Sequence, residues 1–241
     1  MKKKYLLTIL MVIVSLFSCS KPKEKDDPKI KGDLIFVIGK VEISNQNGSK
    51  EATKNMAVLE GDTIRTGEKS VAVVQFENET ASIEIQENAE FTIQKFNKQE
   101  QQLVSTKGNF WIKAKKANKD TNFNVVLPTA VAGIRGTSFY SFEIKEERIH
   151  GVCHCQGAVD FQDKVTNYKG SHDTDYGVLT RDGKTITMTP EDFKSVGVNF
   201  DKFEHKHSRI DNSPLGKKSS ITDEQFANLL KIAKKKFAEL K

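Results

Sequence analysis

The chain has 241 residues, with 38 Lys and Arg against 32 Asp and Glu. Three of the bases are Lys2–Lys4, in an N-terminal segment that reads as removable, and without them 35 bases face 32 acids. Such a balance, with lysines scattered among acids, excludes the basic face that nucleic-acid binding needs. With three cysteines in all, no disulfide framework can staple a domain of this length, so a hydrophobic core must hold the fold.

Lys2–Lys4 lead into a mainly apolar run, Tyr5 to Phe17, closed by Ser18-Cys19. A positive start, a short apolar core and a small residue before the cut describe a signal peptide. The run is too short for a permanent transmembrane helix. Leu16-Phe17-Ser18-Cys19 resembles a bacterial lipobox, which implies that Cys19 is lipidated and becomes the new N-terminus. Phe17 departs from the small or β-branched residue usual there, a departure that spirochaete-like lipoboxes tolerate. The competing reading is an ordinary secretory cleavage beside a chance cysteine. Ser20 to Lys31 is charged, holds Pro22 and Pro28, and has almost nothing apolar. It cannot bury enough surface to offset its ordering entropy, so it reads as a tether. Several acyl chains on Cys19 would attach it firmly to a membrane. Ser20, rather than Asp, follows the cysteine, which favours the outer membrane over the inner.

The middle of the chain alternates with period two. Ile35–Gly39, Val41–Ile43, Val71–Phe76, Ser82–Ile85, Phe91–Ile93, Asn109–Ile112, Phe123–Leu127, Ser138–Ile144 and Ile149–Phe161 read as strands, with turns at Asn45–Gly48 and Glu77–Thr80. Many short strands at regular spacing predict a mainly β sandwich, barrel or roll. Val178–Arg181 and Lys184–Met188 flank Asp182-Gly183, a two-residue hairpin signal. Pro190 to Pro214 reads as polar and irregular. A helix then begins: Thr222 with Gln225 makes a capping box, and Ile221 with Phe226 a hydrophobic staple. Phe226, Leu229, Leu230, Ala233, Phe237 and Leu240 fall on one face, and Lys234–Lys236 suit the C-terminal end of the helix dipole. Docking on the sheet is the expectation; Asp223, Glu224 and Glu239 weaken a membrane-surface role.

One block carries a resemblance. Residues 128–139 read Pro-Thr-Ala-Val-Ala-Gly-Ile-Arg-Gly-Thr-Ser-Phe. This resembles the signature turn of the FecR domain family. Gly61-Asp62-Thr63-Ile64-Arg65-Thr66-Gly67, the strand after it, and Gln156-Gly157-Ala158-Val159-Asp160-Phe161 resemble the family's flanking motifs, with Asn78-Glu79-Thr80 in place of the usual Asp-Gly-Ser. The resemblance covers roughly residues 34–161. It implies a FecR-like roll or sandwich and an extracytoplasmic interaction module without enzymatic chemistry. The prototype members pass a signal to a cytoplasmic sigma factor. That role needs a cytoplasmic segment, which cleavage before Cys19 would not leave, so it is not carried over.

Gly133 and Gly136 bracket Arg135 and allow backbone conformations closed to other residues. The planar guanidinium suits carbonyls or a carboxylate, so Arg135 is expected to tie strand ends, with Thr137 closing the turn. Asp62 is expected to close its own turn, ahead of Gly67, rather than hold a metal.

Cys153-His154-Cys155 is the one triplet with scope for chemistry. In a strand the two thiols share one face, and His154 shares the other with His150. Cys153, Cys155 and His172 with His205 or His207 would make a sensible zinc set. Packing as small hydrophobes, or a strained disulfide, are the bland alternatives. No cofactor is otherwise expected. The expected organisation is a signal peptide at 1–18, a lipidated tether at 19–33, a FecR-like domain at 34–161, an irregular extension with a hairpin at 162–220, and an amphipathic helix at 221–241. The expected role is a lipid-anchored, non-enzymatic envelope module that binds an envelope protein or a cell-wall polymer. A metal- or redox-responsive envelope protein is the alternative.

Overall fold

The computed structural model describes residues 32–77, 81–97, 99–115, 122–172, 174–198, 207–208, 213–215 and 221–240. The signal segment, Cys19, the tether up to residue 31 and His205 lie outside the described residues, while Gly32 and Asp33, expected to end the tether, begin the first strand. The first half forms β1 (Gly32–Ile38), β2 (Val41–Asn45), β3 (Gly48–Glu51), β4 (Ala57–Val58), β5 (Thr63–Thr66), β6 (Val71–Phe76), β7 (Ala81–Ile85), β8 (Glu90–Phe96) and β9 (Glu100–Lys107). The second half adds β10 (Phe110–Ala114), β11 (Asn122–Val126), β12 (Ala130–Ile134), β13 (Ser138–Ile144), β14 (Ile149–Gln156), β15 (Val159–Asp163), β16 (Lys169–His172), β17 (Tyr176–Arg181) and β18 (Lys184–Met188). Among the described residues two α-helices follow, α1 (Pro190–Ser195) and α2 (Asp223–Glu239).

Among the described residues the strands make two sheets. Sheet A has the order β18-β17-β14-β13-β10-β7-β6-β1-β4, and sheet B the order β16-β15-β12-β11-β9-β8-β5-β2-β3. From β6 onward the chain alternates between them: β6–β7 in A, β8–β9 in B, β10 in A, β11–β12 in B, β13–β14 in A, β15–β16 in B, β17–β18 in A. β9 and β11 pair in parallel. That is possible because β10, in the other sheet, supplies the crossover a parallel pair requires.

Period-two patterning decides what lies between the sheets. Phe91 and Ile93 of β8, Ile83 and Ile85 of β7, and Phe139 of β13 all point inward and are buried. Aromatic rings link the layers. Phe76 of sheet A stacks on Phe96 of sheet B with centroids 3.8 Å apart. Phe91 of sheet B meets Phe110 of sheet A edge-on at 5.1 Å, and Phe110 meets Phe139 at 5.7 Å. Such pairs add to the area they bury.

Several elements depart from the sequence reading. The run from Ile149 to Phe161 is two strands, because Gly157 turns the chain from sheet A to sheet B with φ +75°. A side chain there would meet the Gly136 carbonyl oxygen at 2.7 Å. β5 and β12 lie inside motifs read as turns, and the polar β9 escaped notice. α1 opens the segment expected to be irregular. Thr189 caps it and exchanges hydrogen bonds with Asp192, and Pro190 starts it. The Asp182-Gly183 hairpin forms, with φ of 49° and 72° at its two central residues. The Thr222–Gln225 capping box also forms.

α2 lies on the outer face of sheet A, the face turned away from sheet B. Leu229, Ala233 and Phe237 pack on Ile149, Leu179, Ile186 and Met188. Lys236 ties the helix down by reaching Asp192 at 2.5 Å and the Thr187 carbonyl at 3.0 Å. Arg181 covers the Phe237 ring at 4.6 Å. Phe226 departs from the expected packed face and stays 45% exposed.

His154 points into the sandwich and is fully buried. Its Nδ1–H donates to the His172 carbonyl at 3.2 Å, and its Nε2 has no hydrogen-bond partner. Burial holds its pKa below the usual 6.5; nearby Cys153 and the His172 carbonyl oppose that shift only in part.

Two measurements test this core. Phe110→Ala should lower unfolding free energy by about 3–5 kcal/mol in denaturant titration, because it removes a ring wedged between Phe91 and Phe139. Unfolded His154 takes up a proton near pH 6.5 while the folded residue resists it, so its contribution to stability is intact above that pH and drains below it. Melting temperatures from pH 8 to 5 should fall below about pH 6.5, and His154→Gln should flatten that fall.

Candidate functional site

The site grows from the outer face of sheet A. Strand register places Val73, Glu84, Trp111, Tyr140 and Cys153 side by side on five neighbouring strands. Val73, Trp111 and Tyr140 cluster with Cys153, Cys155 and Leu215. Glu84 is fully buried. A face that carries both apolar groups and a carboxylate out of water needs a cover that can satisfy both.

Residues 207–208 and 213–215, a strap across this face, supply that cover. The Ser213 hydroxyl bonds the Glu84 carboxylate, and the Leu215 amide donates to the Ser213 oxygen at 3.2 Å. Gln86 Nε2 donates to the His207 carbonyl at 2.7 Å, and Gln86 Oε1 accepts from the Tyr140 hydroxyl at 3.0 Å. The His207 ring stacks on Tyr140 with centroids 4.4 Å apart and planes 7° from parallel.

Under this strap lie the cysteines. Both are buried thiols rather than a disulfide. Ser138 pairs with Gln156 and Phe139 with His154, so Cys155 is the extra residue of a bulge. Burial pushes the Cys155 thiol pKa well up, and the adjoining Cys153 sulfur adds to the shift. One ligand atom each from Cys153, Cys155 and His207 lies within 4.8 Å of the other two. His172 is elsewhere, in β16 of sheet B, where its Nε2 meets the Tyr168 hydroxyl at 2.5 Å and its ring stacks on Tyr176 at 5.1 Å.

Beside the thiols a cleft of about 430 Å³ opens between sheet A and the Asp223–Ala233 part of α2. Phe142, Leu179, Met188, Phe193, Leu229 and Leu230 make its apolar walls, Phe226 stands at its edge, and Cys153 and His207 line one side. Glu84, Gln86, Tyr140 and Ser213 were not singled out from the sequence. The available signal was the unbroken apolar runs Val71–Val74 and Phe110–Ile112, which mark strands covered on both faces.

The motif residues sit apart from this cleft. Asp62 is buried, and its carboxylate accepts from the Leu59 amide at 2.8 Å and the Asn45 amide group at 2.7 Å. The Gly67 amide donates to the Lys40 carbonyl at 2.9 Å. Gly133 lies within β12, opposite Asp160 of β15; of the two glycines around Arg135, Gly136 has a positive φ, +69°. Arg135 reaches Asp160 at 2.6 Å across the sheet B surface, beside a shallow hollow lined by Asn124, Val131, Gly133, Phe161 and Lys169. Thr137 is buried; its carbonyl accepts from the Ala114 amide at 2.8 Å, while its hydroxyl makes no hydrogen bond.

No curated protein matches the chain. Two crystal structures of a candidate anti-sigma factor from Parabacteroides distasonis ATCC 8503 are similar to it, each with 12% identity and a TM-score of 0.47. Each match covers 53% of this chain and 59% of the neighbour, so the chain spans less than two thirds of their length. The family model described as FecR protein matches residues 62–160, the segment from the Asp62 turn to β15, and over that segment the chain is similar to the FecR family.

Proposed function

We propose that the chain is a non-enzymatic binding module of the bacterial cell envelope, held by lipid on Cys19, that receives apolar side chains of an envelope protein in the cleft between α2 and sheet A. The cleft itself carries this reading. Its volume of about 430 Å³ and its Phe, Leu and Met walls fit the apolar anchors of a protein better than the hydroxyl-rich surface of a cell-wall polymer. Phe226, half exposed at its edge, offers a further apolar contact to such a partner. The lipobox-like Leu16–Cys19 segment and the charged stretch after it support an outer-membrane anchor with a tether. Among the described residues no helix is long and apolar enough to cross a membrane.

A photo-cross-linking residue at position 226, in cells of the source organism, should give one discrete protein adduct, and Leu230→Glu should abolish it. The same probe at exposed Val165, on a different part of the surface, should not give that adduct. No adduct from position 226, or the same adduct from both positions, would refute the cleft as the docking site. Cys19→Ala should move the protein from the detergent phase to the aqueous phase in Triton X-114 partition; unchanged partition would refute the lipid anchor.

A further inference from the structure

The Cys153–Cys155–His207 cluster brings together residues from two distant parts of the chain. Extended strand geometry sets alternate residues about 6.8 Å apart along the strand. The bulge at Cys155 and its contact to the Cys153 carbonyl, at 3.5 Å, accompany a closer approach of the two sulfurs. The imidazole then arrives from the strap, held by the Tyr140 stack and by Gln86 on the His207 carbonyl. The stack fixes the plane of the ring and the carbonyl bond fixes the backbone that carries it.

We propose that Cys153, Cys155 and His207 bind one zinc ion, which fastens the strap to the outer face of sheet A and keeps its fourth coordination position toward the cleft. Three observations carry this. The three ligand atoms lie within 4.8 Å of one another. A zinc tetrahedron with 2.3 Å Zn–S bonds needs them about 3.7 Å apart, a change that side-chain rotation can supply. Two thiolates and an imidazole are ligands that suit zinc. The charge balance separates zinc from copper(I): a dication neutralises two thiolates, whereas a monocation leaves a net negative charge among Val73, Trp111 and Leu215. Cys153 and His207 also line the cleft, so a fourth ligand, water or a partner's donor group, has room to enter there. Binding forms two Zn–S bonds and one Zn–N bond and releases two thiol protons to solvent. The proposal stands independently of the docking role of the cleft.

The test uses the full chain, stripped with chelator under reducing conditions and titrated with Zn²⁺ against a chromophoric competitor. One equivalent should bind. Cys153→Ser and Cys155→Ser should each weaken binding at least a hundredfold, and His207→Ala at least tenfold. His207 lies outside the sandwich, so His207→Ala should keep the wild-type circular dichroism even where a cysteine variant fails to fold. Co²⁺ should give a thiolate-to-metal absorption band in the wild type, and His207→Ala should alter the ligand-field bands at longer wavelength. Zinc should also slow tryptic cleavage after Lys206 and Arg209 in the wild type but not in His207→Ala. The proposal falls if the wild type binds no zinc, if it takes up copper(I) and not zinc, if His207→Ala binds as tightly as the wild type, or if the purified chain carries a Cys153–Cys155 disulfide that still forms after reduction in the presence of zinc.

Discussion

Sheet A carries buried patches on its outer face as well as its inner one, and much of the rest of the molecule answers to that. Its inner face closes on sheet B in the usual manner of a sandwich. Its outer face carries Val73, Trp111, Tyr140 and the two cysteines in one patch, and Ile149, Leu179, Ile186 and Met188 in another. Neither patch can be left to water without losing the burial that a domain of this size depends on. The chain therefore has to return after β18, and it returns twice: as the strap over the first patch and as α2 over the second.

The two covers work by different physics. α2 is an amphipathic helix on an aliphatic surface, fixed by burial and by the Lys236 contacts to Asp192 and Thr187. The strap meets a mixed surface. Glu84 and Gln86 lie among apolar neighbours, and a purely apolar cover would strand their polar atoms, at a cost that usually exceeds the value of one hydrogen bond. Ser213 and the His207 carbonyl meet that requirement, while Leu215 and the His207 ring fill the apolar remainder. Polar residues on this face thus give the strap a specific register, which aliphatic contact alone would not. Between the two covers a gap remains, and the cleft is that gap.

Much of the frame was legible because local rules and tertiary burial agreed. Ser82–Ile85 alternates in the sequence and in the sheet; Asp182-Gly183 turns as its backbone preferences require; Thr222 and Gln225 cap α2. The rest was hidden where context overrode local signals. β9 places Gln101 and Ser105 on the buried side beside Leu103, so its sequence looks like a loop. β12 uses alanines where β-branched residues would announce a strand. The metal candidates were visible as residue types, but which histidines join the thiols depends on paths taken long after Cys155: β16 carries His172 into the opposite sheet, while residues 207–208 cross the thiols. No spacing rule encodes that.

The limits of the FecR match bear on where function resides. Residues 62–160 include Cys153, Cys155, Tyr140 and Glu84, yet His207, Ser213 and α2 lie beyond them. The cleft and the thiol–imidazole cluster are thus composite: Tyr140, Phe142 and Cys153 come from the matched segment, and Leu179, Met188, His207 and the α2 residues from the extension that follows it. Arg135 and Asp62, the residues that make the motif recognisable, are engaged in an ion pair on sheet B and in a turn, away from that cleft. A property that resides between the walls requires both, so it belongs to this arrangement of domain and extension and does not follow from the FecR segment alone. The strap and α2 bound the cleft from two sides, and Cys153 and His207 belong both to its lining and to the thiol–imidazole cluster, so the cluster borders the apolar surface directly.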